Sequence, residues 1–229
     1  MGEETISSKD PQYLEKALQN RVWIIDPIDA TAEFAHQVPF WGNSIGYAEN
    51  GILKEGGIIL PGTGEMMISD NGKVWYAREG QDPERWNFTE HLRILEPPAT
   101  RFDDSCIVSL SQRVVKHAVF HARNTVNVLC SSVYAAILLA TGRHAAVVTR
   151  AKLWDHAGYL VSLKNLGFHA WSSLPERNIL SLKINPNIYI LERGAEEAFA
   201  LHDKTTVFAR TAETVEKVKN MLIPEDDHL

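Results

Sequence analysis

In the stretch WIIDPIDATAEF, Trp23 to Phe34, an apolar run ends on an aspartate, a proline stiffens the turn, and a second aspartate stands three residues after the first. Two carboxylates held that close repel each other and resist losing water, so the turn is costly unless something offsets the charge. Pro27 keeps Asp26 out of the helical region and fixes its own backbone angle, which leaves Asp26 extended at the end of a strand. Asp29 then falls where a helix N-cap belongs, with the free N–H groups of Ala30 and Thr31 opening in front of it. A strand, a rigid acidic turn and a helix start are thereby imposed on a short segment.

An anion site beside two carboxylates is reconciled by a hard divalent cation such as magnesium, which takes oxygen ligands and bridges carboxylate to phosphate. The turn also reads as a structural aspartate followed by a capping aspartate, both solvated. A second acidic position, Asp155 in KLWDHAGYLV, lies at another helix start after the strand AAVV; by itself it reads as an ordinary N-cap. Near the start of the chain, GEE supplies Glu3 and Glu4 with no apolar neighbours to bury them.

Around these positions the pattern alternates. PQYLEKALQN reads as a short helix opened by Asp10 and Pro11. The segment from Val22 to Ala77 reads as an antiparallel sheet interrupted by one helix, AEFAHQ, with hairpins at Asn50-Gly51 and at Asp70 to Gly72. Gln81 to Thr100 is rich in charge and proline and reads as a boundary. Beyond it, CIVSL reads as a strand, SSVYAAILLATG as a helix closed by Gly142, AAVV as a strand, and HAGYLVSLKNLG as a helix closed by Gly167. IYIL and TVFA read as later strands. A last helix from Ala212 to Leu222 places Ala212, Val215, Val218 and Leu222 on one face. The fold class is α+β, with two layered sheets in one domain over residues 1–229, divided into subregions 1–80 and 101–229.

Bulk properties narrow the function. With 23 basic and 29 acidic side chains the net charge is −6, which offers no electrostatic footprint for a nucleic acid polymer or an anionic membrane and favours small partners. The two cysteines, Cys106 and Cys130, form neither a disulfide framework nor a zinc pattern, and the expected compartment is cytoplasmic. VYAAILLA, the longest apolar stretch, is far short of the roughly 20 residues that span a bilayer. No P-loop is present, Ser109 and Ser111 lack a nucleophile-elbow pattern, and the histidines, His36, His117, His121 and His156 among them, read as surface or packing residues. The tryptophans are too dispersed to form a stacking platform for single strands.

Taken in order, GEE, WIIDPIDATAEF with the following PFWGNSIGYAENG, and LWDHAG resemble the signature of the inositol monophosphatase family of magnesium-dependent, lithium-sensitive sugar-phosphate and nucleotide phosphatases. The resemblance runs from Gly2 to about Leu222 and implies a layered α/β sandwich of the sugar-phosphatase type. It maps the family's metal ligands to Glu3, Asp26, the carbonyl of Ile28, Asp29 and Asp155. It assigns Thr31, with Glu3, to activation of the attacking water, and the N–H groups of Ala30 and Thr31 to the phosphate. Ser131 and Ser132 match a segment that lines the substrate pocket, and they equally read as the start of the apolar helix. The implied function is magnesium-dependent hydrolysis of a small phosphomonoester, and the resemblance also implies a homodimer, as family members often form.

Three departures accompany the resemblance. Ala30 stands where the family has glycine. The long pair of helices that in the family precedes GEE, and carries an acid that pairs with the position of Thr31, has no counterpart; this implies an N-terminally truncated chain or impaired activity. Val148 stands where inositol-hydrolysing members have a glutamate, while Arg150 and Lys152 lie on the approach to Asp155, which favours a doubly anionic substrate over inositol phosphate. The rival expectations are a metal- or phosphate-binding regulatory relative without catalysis and, among enzymes, a nucleotide bisphosphate or fructose bisphosphate phosphatase.

Overall fold

A computed structural model describes residues 1–2, 6, 11–79, 82–172, 177–192, 195, 197–203 and 205–224. Helix α1 (Pro11–Leu18) leads into a six-stranded antiparallel meander: β1 (Arg21–Asp29), β2 (Gly42–Glu49), β3 (Ile52–Leu60), β4 (Glu65–Asp70), β5 (Lys73–Arg78) and β6 (Arg93–Ile94). The short helix α2 (Thr31–Ala35) interrupts it after β1. Two hairpins set its register. Asn50 and Gly51 have φ of 50° and 71°, and Asn71 and Gly72 have 48° and 77°, so both turns use residues that tolerate the left-handed region. Glu49 consequently pairs with Ile52, and Asp70 with Lys73. The meander runs past the expected boundary at residue 80. Helix α3 (Phe88–His91) and β6 fall inside the proline-rich stretch, and β6 adds to the free edge of β5.

The second sheet has the order β11-β12-β10-β7-β9. Its strands are β7 (Ile107–Ser111), β9 (Thr125–Leu129), β10 (Ala146–Thr149), β11 (His169–Ala170) and β12 (Thr206–Ala209). β7 runs parallel to both β9 and β10, whereas β12 is antiparallel to β10. Helix α4 (Gln112–Val115) follows β7 directly, and a separate ribbon pairs β8 (Ala118–Phe120) with β13 (Leu222–Pro224). Between the sheets lie α5 (Ser132–Ala140), α6 (Leu153–Ala157) and α7 (Leu160–Asn165), while α8 (Ala212–Asn220) covers the opposite face of the second sheet.

Two apolar clusters follow from this layering. The larger, with Ile24, Met67, Ile137, Leu139, Leu153 and Leu163, fills the space between the sheets around α5, α6 and α7. The smaller, with Val108, Leu110, Val148, Val207, Val215 and Val218, lies between the second sheet and α8. α5 is apolar on nearly every side because it touches β2 and β3 of one sheet and β9 and β10 of the other.

Small residues on β2 bring α6 close. A side chain added at Gly46 would meet Cβ of Ala157 at 2.6 Å and its carbonyl oxygen at 2.7 Å. Ser44 Oγ donates to the Trp154 carbonyl at 2.8 Å and accepts from Gly158 N–H at 3.1 Å. Since Ser44 is also the register partner of Asp26, this contact sets α6 beside the acidic turn.

Some expectations fail locally. IYIL is not a strand: in that segment Tyr189 forms only an isolated bridge to Leu201. α8 ends at Asn220, Leu222 joins β13, and Ala212 is exposed; the buried face is Thr214, Val215 and Val218.

Candidate active site

β1 continues through Pro27 to Asp29, but its pairing with β2 slips. Asp26 opposes Ser44 and Asp29 opposes Gly42, so three steps on β1 match two on β2. In a regular strand, residues three apart face opposite ways; the extra residue of the bulge turns both aspartates to the same side. Both are buried, at 2% and 6% exposure. Ile28 N–H donates to Asp26 Oδ1 at 3.0 Å and Asn43 Nδ2 donates to the Pro27 carbonyl, which hold the bulge in place.

Asp29 is not a helix N-cap. Ala30 takes that position for α2, with φ 69° and ψ 55° and no side-chain capping bond. Asp29 instead reaches the start of α5, where Ser131 Oγ donates to its Oδ2 at 2.5 Å and Val133 N–H at 3.0 Å. Ser131 is itself the N-cap of α5 and accepts from Tyr134 N–H at 3.0 Å, so one hydroxyl joins the helix to the acidic turn. Burial, and then the charge of Asp155, push the Asp29 carboxyl well above its usual range, against the lowering pull of Ser131 and Val133.

Asp155 is also not an N-cap but sits one turn into α6, where its Oδ2 accepts from Lys152 N–H at 2.7 Å. Oxygens of Asp26, Asp29 and Asp155 come within 4.8 Å of one another. The bulge of one sheet and a helix packed on that sheet therefore place three carboxylates in one cluster. Thr31 Oγ1 donates to the Ile28 carbonyl at 3.0 Å and is exposed at the rim. Ser132 Oγ donates to the Asp155 carbonyl at 3.0 Å. Glu3 lies outside the described residues.

A cleft of about 270 Å³ opens over this cluster, lined by Asp26, Ile28, Asp29, Ala30, Thr31, Ser132 and Asp155 on one side. Ser111, Gln112, Arg113, Cys130, Thr149 and Arg150 line the other, and these lie at or just after the carboxyl ends of the parallel strands β7, β9 and β10, where open α/β sheets characteristically bind ligands. Ser131 is not part of the wall; it braces Asp29 from behind. A roomier cleft of about 340 Å³, bordered by Arg101, Cys106 and Arg210, holds none of the clustered carboxylates.

The expected wall around Val148 is corrected. Val148 is fully buried in the cluster beneath α8, on the face of β10 turned away from the cleft, so its valine does not shape the site. Thr149 takes its place: it is buried, and no described residue hydrogen-bonds its Oγ1. Arg150 lines the cleft but donates to Glu197, and Lys152 lies over the Trp154 ring at 5.4 Å. Neither is a spare cation aimed at a second phosphate. Gln112, Arg113, Cys130 and Thr149 were not singled out as site residues from the sequence; the signal available was their place after short apolar runs that turned out to be parallel strands. His156 is buried as a packing residue, with burial pushing its imidazole down to about 3.

Comparison with known proteins adds a second line of evidence. A profile of the inositol monophosphatase family matches residues 1–172. The fructose-1,6-bisphosphatase/inositol-1-monophosphatase of Thermotoga maritima is 30% identical over 154 residues, covering 65% of this chain and 55% of that protein. Human inositol monophosphatase 1 is 27% identical over 160 residues, covering 69% and 56%. The chain thus spans just over half the length of these relatives. Among solved structures, CysQ from Bacteroides thetaiotaomicron, a bacterial member of the inositol monophosphatase family, superposes with a TM-score of 0.63 at 18% identity, over 92% of this chain and 76% of that one. A Thermotoga maritima IMPase gives 0.60 at 24% identity, over 96% and 73%.

Proposed function

The chain belongs to the inositol monophosphatase family, and on that premise we propose that it hydrolyses a small phosphomonoester in the cleft over Asp26, Asp29 and Asp155. The observation that supports this reading is the carboxylate cluster: three acids from two separate elements within 4.8 Å, one of them buried with its charge disfavoured by its neighbours. Such a cluster fits a divalent cation, whose charge removes the repulsion that burial otherwise leaves uncompensated. Asp26, Asp29, Asp155 and the Ile28 carbonyl would hold magnesium, with Glu3 as a further ligand. Magnesium, when bound, neutralises charge on the phosphate and lowers the pKa of the attacking water.

The residues of this chain then do the positioning. Ser131 and Val133 fix one oxygen of Asp29, and Lys152 N–H fixes one of Asp155, so the carboxylates meet a ligand in a preset orientation. The Thr31 hydroxyl spends its proton on the Ile28 carbonyl, which leaves its oxygen to accept a hydrogen bond from water and orient it. Ala30 and Thr31 offer backbone N–H groups to the phosphate. Water adds to phosphorus, the ester P–O bond breaks, and the alcohol leaves with a proton, giving inorganic phosphate.

The test is a phosphate-release screen over inositol 1-phosphate, fructose 1,6-bisphosphate and adenosine 3′,5′-bisphosphate, with magnesium and with chelator. Magnesium-dependent release from at least one ester is expected. A flat screen combined with a magnesium-dependent rise in melting temperature would replace catalysis with a binding role.

A further inference from the structure

The cleft of about 340 Å³ lies at the far ends of the elements that build the active site. Gly142, Ile107 and Ala145 line it, just after α5 and at the amino ends of β7 and β10. The carboxylate cleft takes Ser132, Ser111 and Thr149 from the opposite ends of the same three elements. The nine residues of α5 set the two clefts roughly 13 Å apart. Arg101, Arg143 and Arg210 border the 340 Å³ cleft, and no described aspartate or glutamate does. In a chain of net charge −6 that is a local excess of positive charge.

Two of the three arginines have acidic partners. Asp103 pairs with Arg101, and Glu65, buried on β4, pairs with Arg143; neither acid is part of the cleft wall. Arg210 differs. It is half-buried, its Nε donates to the Pro98 carbonyl at 3.2 Å and its Nη1 to the Leu166 carbonyl, and its guanidinium lies over the Phe168 ring at 5.3 Å. Two of its five N–H groups are thus spent on neutral acceptors, and no described carboxylate pairs with it. A guanidinium held in one plane with N–H groups to spare is preset for an oxyanion, which it grips through paired hydrogen bonds. The carbonyls at the end of α5 would oppose an anion, but the N–H groups of Thr141, His144 and Gly142 already occupy those of Ile137, Leu138 and Leu139. We propose that this cleft binds a small dianion through a phosphate or carboxylate group seated on Arg210, with Arg101 and Arg143 adding to the attraction. The site is separate from the carboxylate cleft and stands independently of the phosphatase reading.

The experiment follows backbone amide chemical shifts of the isotopically labelled full chain while inorganic phosphate or succinate is titrated in chelator. Without a metal the clustered carboxylates repel anions, so the arginine cleft answers alone. Saturable shifts at Ala99, Gly142 and Thr214 are expected, with chloride at the same ionic strength causing none. Arg210→Met should weaken binding by about tenfold or more, the usual scale for losing a charged hydrogen-bond partner. Arg101→Met is an exposed change that tests the site even if Arg210→Met fails to fold, and it should weaken binding about two- to fivefold. Arg113→Met, in the carboxylate cleft, should leave binding unchanged. Saturation by phosphate alone assigns the site to phosphate esters, and saturation by succinate alone assigns it to dicarboxylates. Shifts at Ala30 and Thr31 in place of the expected ones would overturn the proposal, as would affinity that falls with Arg113→Met but not with Arg210→Met or Arg101→Met. Shifts that chloride reproduces, or no saturation by either anion at tens of millimolar, would overturn it as well.

Discussion

The antiparallel sheet from Arg21 to Ile94 joins strands that are neighbours along the chain, whereas the mixed sheet from Ile107 to Ala209 joins strands visited out of order. The first is set by turns: Asn-Gly pairs fix its hairpins, and a single bulge fixes the facing of Asp26 and Asp29. The second is set by burial, because β10 and β12 are covered on both faces and carry no alternation. The cleft forms where they meet, and the division of labour is uneven. The first sheet carries two carboxylates in its own strand and the third on a helix packed against β2; the second supplies the neutral and basic wall and, through α5, the donors that brace Asp29.

The sharpest way to break that partnership is to remove the charge at the brace. Asp29→Asn keeps an oxygen for Ser131 and Val133 but deletes the charge that burial and Asp155 disfavour. Phosphatase activity should fall by about 10²–10³-fold, the usual scale for losing one pre-aimed electrostatic group. Without metal the variant should be more stable than wild type, since a carboxyl whose folded pKa is raised destabilises the fold at neutral pH. Melting in chelator and phosphate release in magnesium measure the two effects. A variant that melts lower in chelator would mean that the Asp29 charge is already compensated within the chain.

The contrast between the sheets also explains what was legible beforehand. Both hairpins, the acidic turn and the buried α5 were readable because their signals are local: Asn-Gly, Asp-Pro, and an apolar run closed by Gly142. The brace on Asp29 was not, because its partner Ser131 is 102 residues away and the bulge that turns it inward leaves no mark in composition. Val148 was assigned to the wrong face for a related reason: AVVT is buried throughout, so its phase cannot be read from polarity. β8 and β9 were missed because they are short and half exposed, and β13 because it follows α8 almost without a break.

A second test bears on the buried polar chemistry of the mixed sheet. His144, just before β10, is 4% exposed; Asn127 Nδ2 donates to its Nε2 at 3.2 Å, so the neutral ring carries its proton on Nδ1, toward Ser109. Burial, then the charge of Arg143, push this imidazole down to about 4. The unfolded chain, with histidine near 6.5, binds the extra proton between those values, so stability is full above pH 6.5 and is lost as pH falls toward 4. The loss should reach on the order of 3 kcal/mol by pH 4. In His144→Gln the part due to this ring should vanish, so the two stability curves diverge below pH 6.5. Parallel curves for wild type and variant would reject His144 as the titrating group.

The smallest effect separates two turns within the meander. Asn50 and Asn71 enter the left-handed region at φ 50° and 48°, where asparagine is tolerated, while Ala30 enters it at φ 69° between the acidic strand and α2. An alanine held there costs about 1–2 kcal/mol. Glycine removes that cost but returns roughly 0.5–1 kcal/mol through the greater freedom of its unfolded chain. Ala30→Gly should therefore stabilise the protein by about 0.5 kcal/mol, a rise of roughly 1–2 °C in Tm for a chain of this size. Asn71→Gly is the matched control: asparagine already accepts the angle, so the entropic loss is not offset and Tm should hold or fall slightly. The comparison also reaches the chemistry, because Ala30 lines the carboxylate cleft and its methyl group borders the position proposed for phosphate. If Ala30→Gly lowers Tm as much as Asn71→Gly does, the acidic turn is not strained, and the bulge at Asp26 to Asp29 alone holds the two carboxylates in place.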